Sequence, residues 1–402
     1  MHMDDGHSEQ SPSTGLILTG GGARAAYQVG VLQEIAAMRR SLGTQAGNPF
    51  QVICGTSSGA INASVLACGT DRFDETLGRL VSVWENFRVQ QVYRSDLLDM
   101  VRSGARWLSL LSLGWLISQK RLRPKSLLDN APLAELLQAQ IDFGRLPQML
   151  SAGHLDALAI TASNYSSGEH VTFYQSSKDI QTWVRNQRLA MRCTLQHDHL
   201  LASSGIPFVF PAARLDGPKG PAWFGDGAMR QTAPISPAIH LGAQKILVVG
   251  AGRMQEPQTS APAVSAQYPS MASIAGHALS SIFLDALAVD VERLQRINHT
   301  LNLIPPENRA ESSLRPIDLL VIAPSERLDE IAVRHASQLP GTVQNLLRVL
   351  GSSQSTGIGQ SGAFISYLLF ESAFTQELMA LGRKDARAKT AEIHSFFAGS
   401  CA

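Results

Sequence analysis

Residues 50–66 demand a strand, a tight turn and a helix in immediate succession. Phe50, Val52, Ile53 and Cys54 form an apolar run. Ala60, Ile61, Ala63, Val65 and Leu66 form a helix-like stretch, and Gly55-Thr56-Ser57-Ser58-Gly59 stands between them. A G-x-S-x-G elbow in that setting forces its serine into a strained conformation and lifts Oγ off the sheet edge. Gly55 lets the turn begin without a Cβ clash, and Gly59 lets the helix pack close behind the serine. The serine also sits at a helix N-terminus, where the dipole and the N–H groups favour negative charge. Ser57 is therefore the candidate nucleophile. A pattern this short also arises by chance, so its weight depends on what accompanies it.

The same strand–glycine–helix unit occurs upstream. Gly15-Leu16-Ile17-Leu18-Thr19 suits a buried parallel strand. Gly20-Gly21-Gly22-Ala23-Arg24 follows, then a helix with Val29, Leu32, Ile35 and Ala36 on one face and Gln33, Glu34, Arg39 and Arg40 on the other. Three glycines there expose amides suited to an anion, and in a serine hydrolase they would form the oxyanion hole. A dinucleotide loop would need glycine at position 25, where the chain has Ala25, and a Walker loop would need Gly-Lys-Ser/Thr. Downstream, Asp226 lies between Gly225 and Gly227 after Ala222-Trp223-Phe224. A carboxylate in such a turn can be partly desolvated and serve as a base. An ordinary Asp-Gly hairpin turn fits the same residues.

Together these segments resemble the patatin-like phospholipase family, in the family's order: Gly20-Gly21-Gly22-Ala23-Arg24, Gly55-Thr56-Ser57-Ser58-Gly59 and Asp226-Gly227-Ala228. Leu201 to Pro211 is similar to the family's A-S-x-x-x-P-x-x-F-P segment, and Thr232-Ala233-Pro234 with Ser236-Pro237-Ala238 to the segment after the aspartate. Ala25 stands where the family usually has glycine. The resemblance covers about residues 14–250. It implies an acyl-ester hydrolase with a Ser57–Asp226 dyad and no catalytic histidine. The oxyanion hole would come from the Gly20, Gly21, Gly22 loop, with Arg24 as the family's basic residue. It implies an acyl-enzyme intermediate, a phospholipid or lysophospholipid ester as substrate, and neither cofactor nor metal.

Two other readings are weighed against it. A Ser–His–Asp esterase needs a histidine after the acid. The candidates are His240, His277, His299, His335 and His394, none in a glycine-bounded loop after an apolar strand. His197 and His199 flank Asp198 in a helix-like segment without a third ligand at metal spacing. These histidines read as surface or packing residues. A non-catalytic lipid- or nucleotide-binding protein would have no need of both Ser57 and Asp226 in glycine turns.

Strand-like runs recur at 15–19, 50–54, 157–163, 170–175, 245–250 and 317–323, with helix-like stretches between most of them. That alternation predicts an α/β fold, a mostly parallel central sheet flanked by helices on both faces, with extra C-terminal helices. The expected organisation is a disordered tail over 1–13, a catalytic core over 14–250 and a mostly helical extension over 251–402 that completes the domain. Within the extension, a long helix carries Phe283, Leu287, Leu294 and Ile297 on one face, and Ser372 to Phe397 reads as helical. Gln255–Gln267 and Gly351–Gly362 read as loops. The four cysteines form no CxxC pair, and Cys54 reads as a small buried hydrophobe.

Formal net charge is +1, so no global field directs the chain to nucleic acid. No apolar run approaches the roughly 18 residues that span a bilayer. The expected location is cytoplasmic. Within an insert at 87–130, Trp107 to Ile117 is apolar apart from serines and Gly114, with Arg102 and Arg106 before it and Lys120, Arg121, Arg123 and Lys125 after it. Such a segment suits a lid or peripheral contact with a lipid surface, and equally a buried helix. Oligomeric state has no signature in the chain.

Overall fold

A computed structural model describes residues 12–41, 43, 47–94, 126–254, 271–309, 312, 314–349 and 358–398. Among them, ten strands make one sheet: β1 (Thr14–Leu18), β2 (Val52–Thr56), β3 (Ala157–Asn164), β4 (His170–Ser176), β5 (Val184–Arg185), β6 (Arg188–Arg192), β7 (Ala213–Gly217), β8 (Gly220–Asp226), β9 (Lys245–Val249) and β10 (Asp318–Ile322). The main path runs β10-β9-β1-β2-β3-β4-β6-β5. Its centre, from β10 to β3, is parallel throughout. The pairs β3–β4, β3–β8, β7–β8 and β5–β6 are antiparallel.

The helices that bear on the site are α1 (Ala26–Ser41), α2 (Ser58–Ala67), α3 (Phe73–Glu85), α4 (Ala131–Gln140), α5 (His197–Ser203), α6 (Ser236–His240), α7 (Met271–Leu303), α8 (Leu328–His335), α9 (Ile358–Leu368), α10 (Ser372–Ala388) and α11 (Thr390–Ala398). The continuous apolar strands are explained by burial on both faces. On one side Leu16, Leu18, Ile53, Leu158, Ile160, Leu247 and Val249 meet residues of α1, α2, α3 and α10. On the other, Ile17, Val52, Cys54, Ala157, Ile246 and Val248 meet Ala238 of α6 and Leu287, Val291 and Leu294 of α7. The fold is thus a mostly parallel sheet between two helical layers.

Several expectations change. Helix α1 buries the expected Val29, Leu32, Ile35 and Ala36, and Ala26, Tyr27, Gln28 and Val31 are buried as well, because α10 lies across its outer side. The two backbones meet at glycines. A Cβ on Gly30 would stand 2.1 Å from the Met379 carbonyl oxygen, and one on Gly382 2.3 Å from that of Tyr27. The loop expected at Gly351–Gly362 already becomes helix α9 at Ile358, while 351–357 lie outside the described residues. The helical stretch Ser372–Phe397 is two helices, α10 and α11, divided at Lys389. Of the expected tail, 1–11 lie outside the described residues, and the Ser13 carbonyl accepts the Gln244 amide at 2.8 Å. Gln255–Gln267, Trp107–Ile117 and Cys401 also lie outside them, as does the Phe283 side chain.

Candidate active site

Strand β2 ends at Thr56, and Ser57 takes φ 55° and ψ −130° before α2 begins. That is a strained region for a residue with a side chain, held by its surroundings. The elbow glycines are required by space. A Cβ on Gly55 would lie 2.4 Å from Ala60 Cα, and one on Gly59 2.2 Å from the Leu18 carbonyl oxygen. Ser203, at the end of α5, fixes the turn from behind: its Oγ accepts the Ser57 amide at 2.8 Å and donates to the Thr161 carbonyl at 2.6 Å.

Asp226 arrives through strand register. β2 pairs with β3 from Ala157 to Thr161, Thr56 standing opposite Thr161. β8 pairs antiparallel with Ala162–Asn164, placing Asp226 opposite Ala162. With β4 on the other edge of β3, β8 takes up the edge that β2 vacates, and Asp226 stands beside the elbow. The Ser57 hydroxyl donates to Asp226 Oδ2 at 2.7 Å, and the Ala228 amide donates to Oδ1 at 2.8 Å. Gly227 sits so close to β3 that a Cβ would be 1.9 Å from the Thr161 carbonyl oxygen.

Asp226 is fully buried. Loss of water pushes its carboxyl up from 3.8 to about 7, against the smaller opposing pull of the Ala228 amide and the Ser57 hydroxyl. The group can therefore exchange a proton near neutrality. His170 is buried nearby, with Nε2 2.9 Å from the Gly227 carbonyl oxygen; burial lowers it to about 4, so the ring is neutral and supports the turn. The histidines weighed as a base are engaged elsewhere in two cases: His240 stacks on Trp183, and His335 bonds Glu377. His197 meets the Ile141 carbonyl, and His199 accepts the Gln196 amide. Among the described residues no group of three or more His, Cys, Asp or Glu is placed to hold a metal.

Gly20, Gly21 and Gly22 lie buried between β1 and α1. Gly22 has φ 57° and lines one cleft with Ser57 and Ser58. Arg24, expected with the glycines at the oxyanion hole, has its side chain against α9. Its Nε donates to Ser366 Oγ at 2.7 Å, and its guanidinium lies 4.2 Å from the centre of the Tyr367 ring. The side chain follows α9 because the carbonyl end of a helix and an aromatic face both attract a cation.

From Ser57 the cleft follows α2 past Ile61 to Val65, about 12 Å at the helical rise. Leu80 and Trp84 of α3, Leu133 and Leu137 of α4, and Phe210 and Phe370 wall it, with Arg79 and Gln140 also on its lining. Ser203 lies in the Leu201–Pro211 segment, but nothing in the sequence marks it as a partner of Ser57. His170 and the cleft walls carried no motif.

A hydroxyl bonded to a buried carboxyl on a parallel α/β sheet, opening on an apolar cleft, is an arrangement that hydrolases of apolar esters can use. The family model for patatin-like phospholipase matches residues 16–239, more than half of the chain. The chain belongs to the patatin-like phospholipase family. Similar solved structures include VipD from Legionella pneumophila, at 14% identity and TM-score 0.36 over 92% of this chain and 67% of that one. Human GIVD cytosolic phospholipase A2 matches at 12% identity and TM-score 0.46, over 97% of this chain and 60% of its own length. The heterodimeric ExoU–SpcU complex of the Pseudomonas aeruginosa type III secretion system matches at 14% identity and TM-score 0.22, over 96% of this chain and 78% of that one. A search of curated proteins finds no match.

Proposed function

We propose that this chain is a serine acyl hydrolase of phospholipid or lysophospholipid esters, working through Ser57 and Asp226. The observation that carries the reading is the direct 2.7 Å hydrogen bond from the Ser57 hydroxyl to the buried Asp226 carboxyl, with no imidazole between them. Ionised Asp226 takes the Ser57 proton as Oγ attacks the ester carbonyl. The oxyanion forms beside Gly22 and Ser58, where amides of the Gly21-Gly22 loop stabilise it; one such donor is worth about two to three orders of magnitude in rate. Protonated Asp226 returns the proton to the leaving alcohol, and the acyl group remains on Ser57. Water, deprotonated by Asp226, then releases the acid. The apolar cleft along α2 suits an acyl chain, which is why a lipid ester is favoured over a polar one.

The test is hydrolysis of a p-nitrophenyl ester and of phospholipid vesicles by the full chain, Ser57→Ala and Asp226→Ala. Turnover by wild type, and its loss in both folded variants, supports the dyad. Full activity in Asp226→Ala removes it and returns the search to the histidines. No turnover by wild type on any ester points to a binding protein.

A further inference from the structure

We propose that Arg24 is a positioning residue, which sets the conformation of the glycine loop by clamping it to the end of α9. The inference rests on the acyl-hydrolase reading of Ser57 and the loop.

Three observations converge. First, Arg24 is 3% exposed, and its side chain meets one helical turn: Ser366 Oγ at 2.7 Å, the Ala363 carbonyl at 3.5 Å and the Tyr367 ring face. Second, the loop's main chain leans on that same turn. A Cβ at Gly22 would be 2.3 Å from the Tyr367 carbonyl oxygen, and Gly22 has φ 57°. The Arg24 amide also closes the turn onto the Gly21 carbonyl at 3.1 Å, so side chain and main chain of one residue grip both sides of Gly22. Third, the turn of α9 is itself tied to the cleft: Tyr93 Oη donates to the Leu368 carbonyl at 3.1 Å, and Phe370 lines the cleft with Ser57.

A buried guanidinium is costly unless its donors and charge are met. Here an Nε–H bond and ring stacking are satisfied at once, which the planar fork of arginine allows and the ammonium of lysine does not. The charge sits at the C-terminal end of α9, where the helix dipole favours a cation. Ser366 and Tyr367 lie far beyond residues 16–239, the span of the family match, so the clamp is a feature of this chain's C-terminal part.

The consequence is kinetic. If the clamp holds the oxyanion amides in register with Ser57, releasing it displaces donors at the Ser57 end and leaves the walls of the acyl cleft from α2, α3 and α4 in place. A misplacement of about 1 Å costs on the order of 10²-fold in rate. The experiment measures kcat and KM on a soluble p-nitrophenyl ester, and the rate of Ser57 labelling by a fluorophosphonate, for the full chain, Arg24→Met, Arg24→Lys and Ser366→Ala. Arg24→Met is expected to lose kcat by about that factor, with KM nearly unchanged and labelling slowed in parallel. Arg24→Lys should recover part of it, and Ser366→Ala should show a smaller loss of the same kind.

Unchanged kcat in an Arg24→Met protein with native near-ultraviolet dichroism overturns the proposal. A loss confined to KM overturns it too, by moving Arg24 to substrate binding. If Arg24→Met does not fold, Ser366→Ala, which removes one hydroxyl, decides by the same split. Absence of both turnover and Ser57 labelling in wild type would instead sink the acyl-hydrolase reading beneath it.

Discussion

The Asp226 carboxyl receives the Ala228 amide on one oxygen and the Ser57 hydroxyl on the other, out of reach of water. Because burial raises it to about 7, the base form is populated only as pH rises through neutrality. We therefore expect kcat/KM to rise with pH to a plateau, with an acid limb near 7; a limb near 4 would show that the carboxyl is solvated in the working enzyme. Stability should follow the opposite course. The folded state holds a proton that the unfolded chain releases near 3.8, so this group's contribution is full below that value and lost as pH rises to about 7. Asp226→Asn, which mimics the protonated form, should gain relative to wild type across that window, by a few kcal/mol at pH 8. Denaturant titrations at pH 4 and pH 8 read this directly, and a difference independent of pH would contradict it. Ser203 gives a third residue-scale expectation. Ser203→Ala leaves the buried Ser57 amide and Thr161 carbonyl without their shared hydroxyl, so it should cost about 1–3 kcal/mol and slow turnover. Unaltered Tm and kcat would show that the hydroxyl does not hold the elbow.

At the scale of elements, the cleft is a groove along α2, so its length should set acyl preference. Ile61 and Val65 succeed Ser57 and Ser58 along one helix face. A larger side chain at Val65 narrows the groove away from Ser57 and leaves the reacting atoms alone. Val65→Phe should keep turnover of a p-nitrophenyl butyrate and lose about tenfold or more on the palmitate, as expected when apolar contacts are denied to a substrate. Equal effects on both esters would place the acyl chain elsewhere. The elements themselves were unequally legible. β1, β2, β3, β4 and β9 show as apolar runs because each is buried on both faces, and the edge strand β10 shows through Leu320 and Ile322, its buried residues. β7 and β8 do not, since Arg214, Asp216, Lys219 and Trp223 face solvent and leave Phe224 to Asp226 as the buried part. The sequence therefore offered Asp226 as a residue in a glycine turn, whereas its position comes from β8 continuing the edge that β2 leaves. Nothing local marks Arg24 as a partner of Ser366 either, because their contact spans 342 residues and depends on how α9 packs.

At the scale of the molecule, the part of the chain beyond the family match is woven into the catalytic half. β10 extends the sheet beside β9, and α10 lies along α1 with Arg383 bonding Gln33 and Arg387 bonding Glu34. Tyr367, Phe374, Leu378, Met379 and Leu381 belong to the same buried cluster as Leu16, Leu18 and Tyr27. Burial of a large apolar side chain stabilises by roughly 1.5–3 kcal/mol. Removing these five takes away about 10 kcal/mol, comparable to the whole stability of an ordinary domain. We therefore propose that 14–250 is not an independent folding unit and that 251–402 completes the α/β domain. Expressed alone, 14–250 should bind 1-anilinonaphthalene-8-sulfonate, lack near-ultraviolet dichroism and unfold without a cooperative transition, while the full chain unfolds cooperatively. Gly382→Val probes the same interface without truncation. Its side chain would meet the Tyr27 carbonyl at the helix crossing, force α10 away from α1, and cost about 1–3 kcal/mol or more. A cooperatively folded 14–250 fragment together with a neutral Gly382→Val would mean that the catalytic half stands by itself; a loss in both would mean that the sheet and its C-terminal helices fold as one.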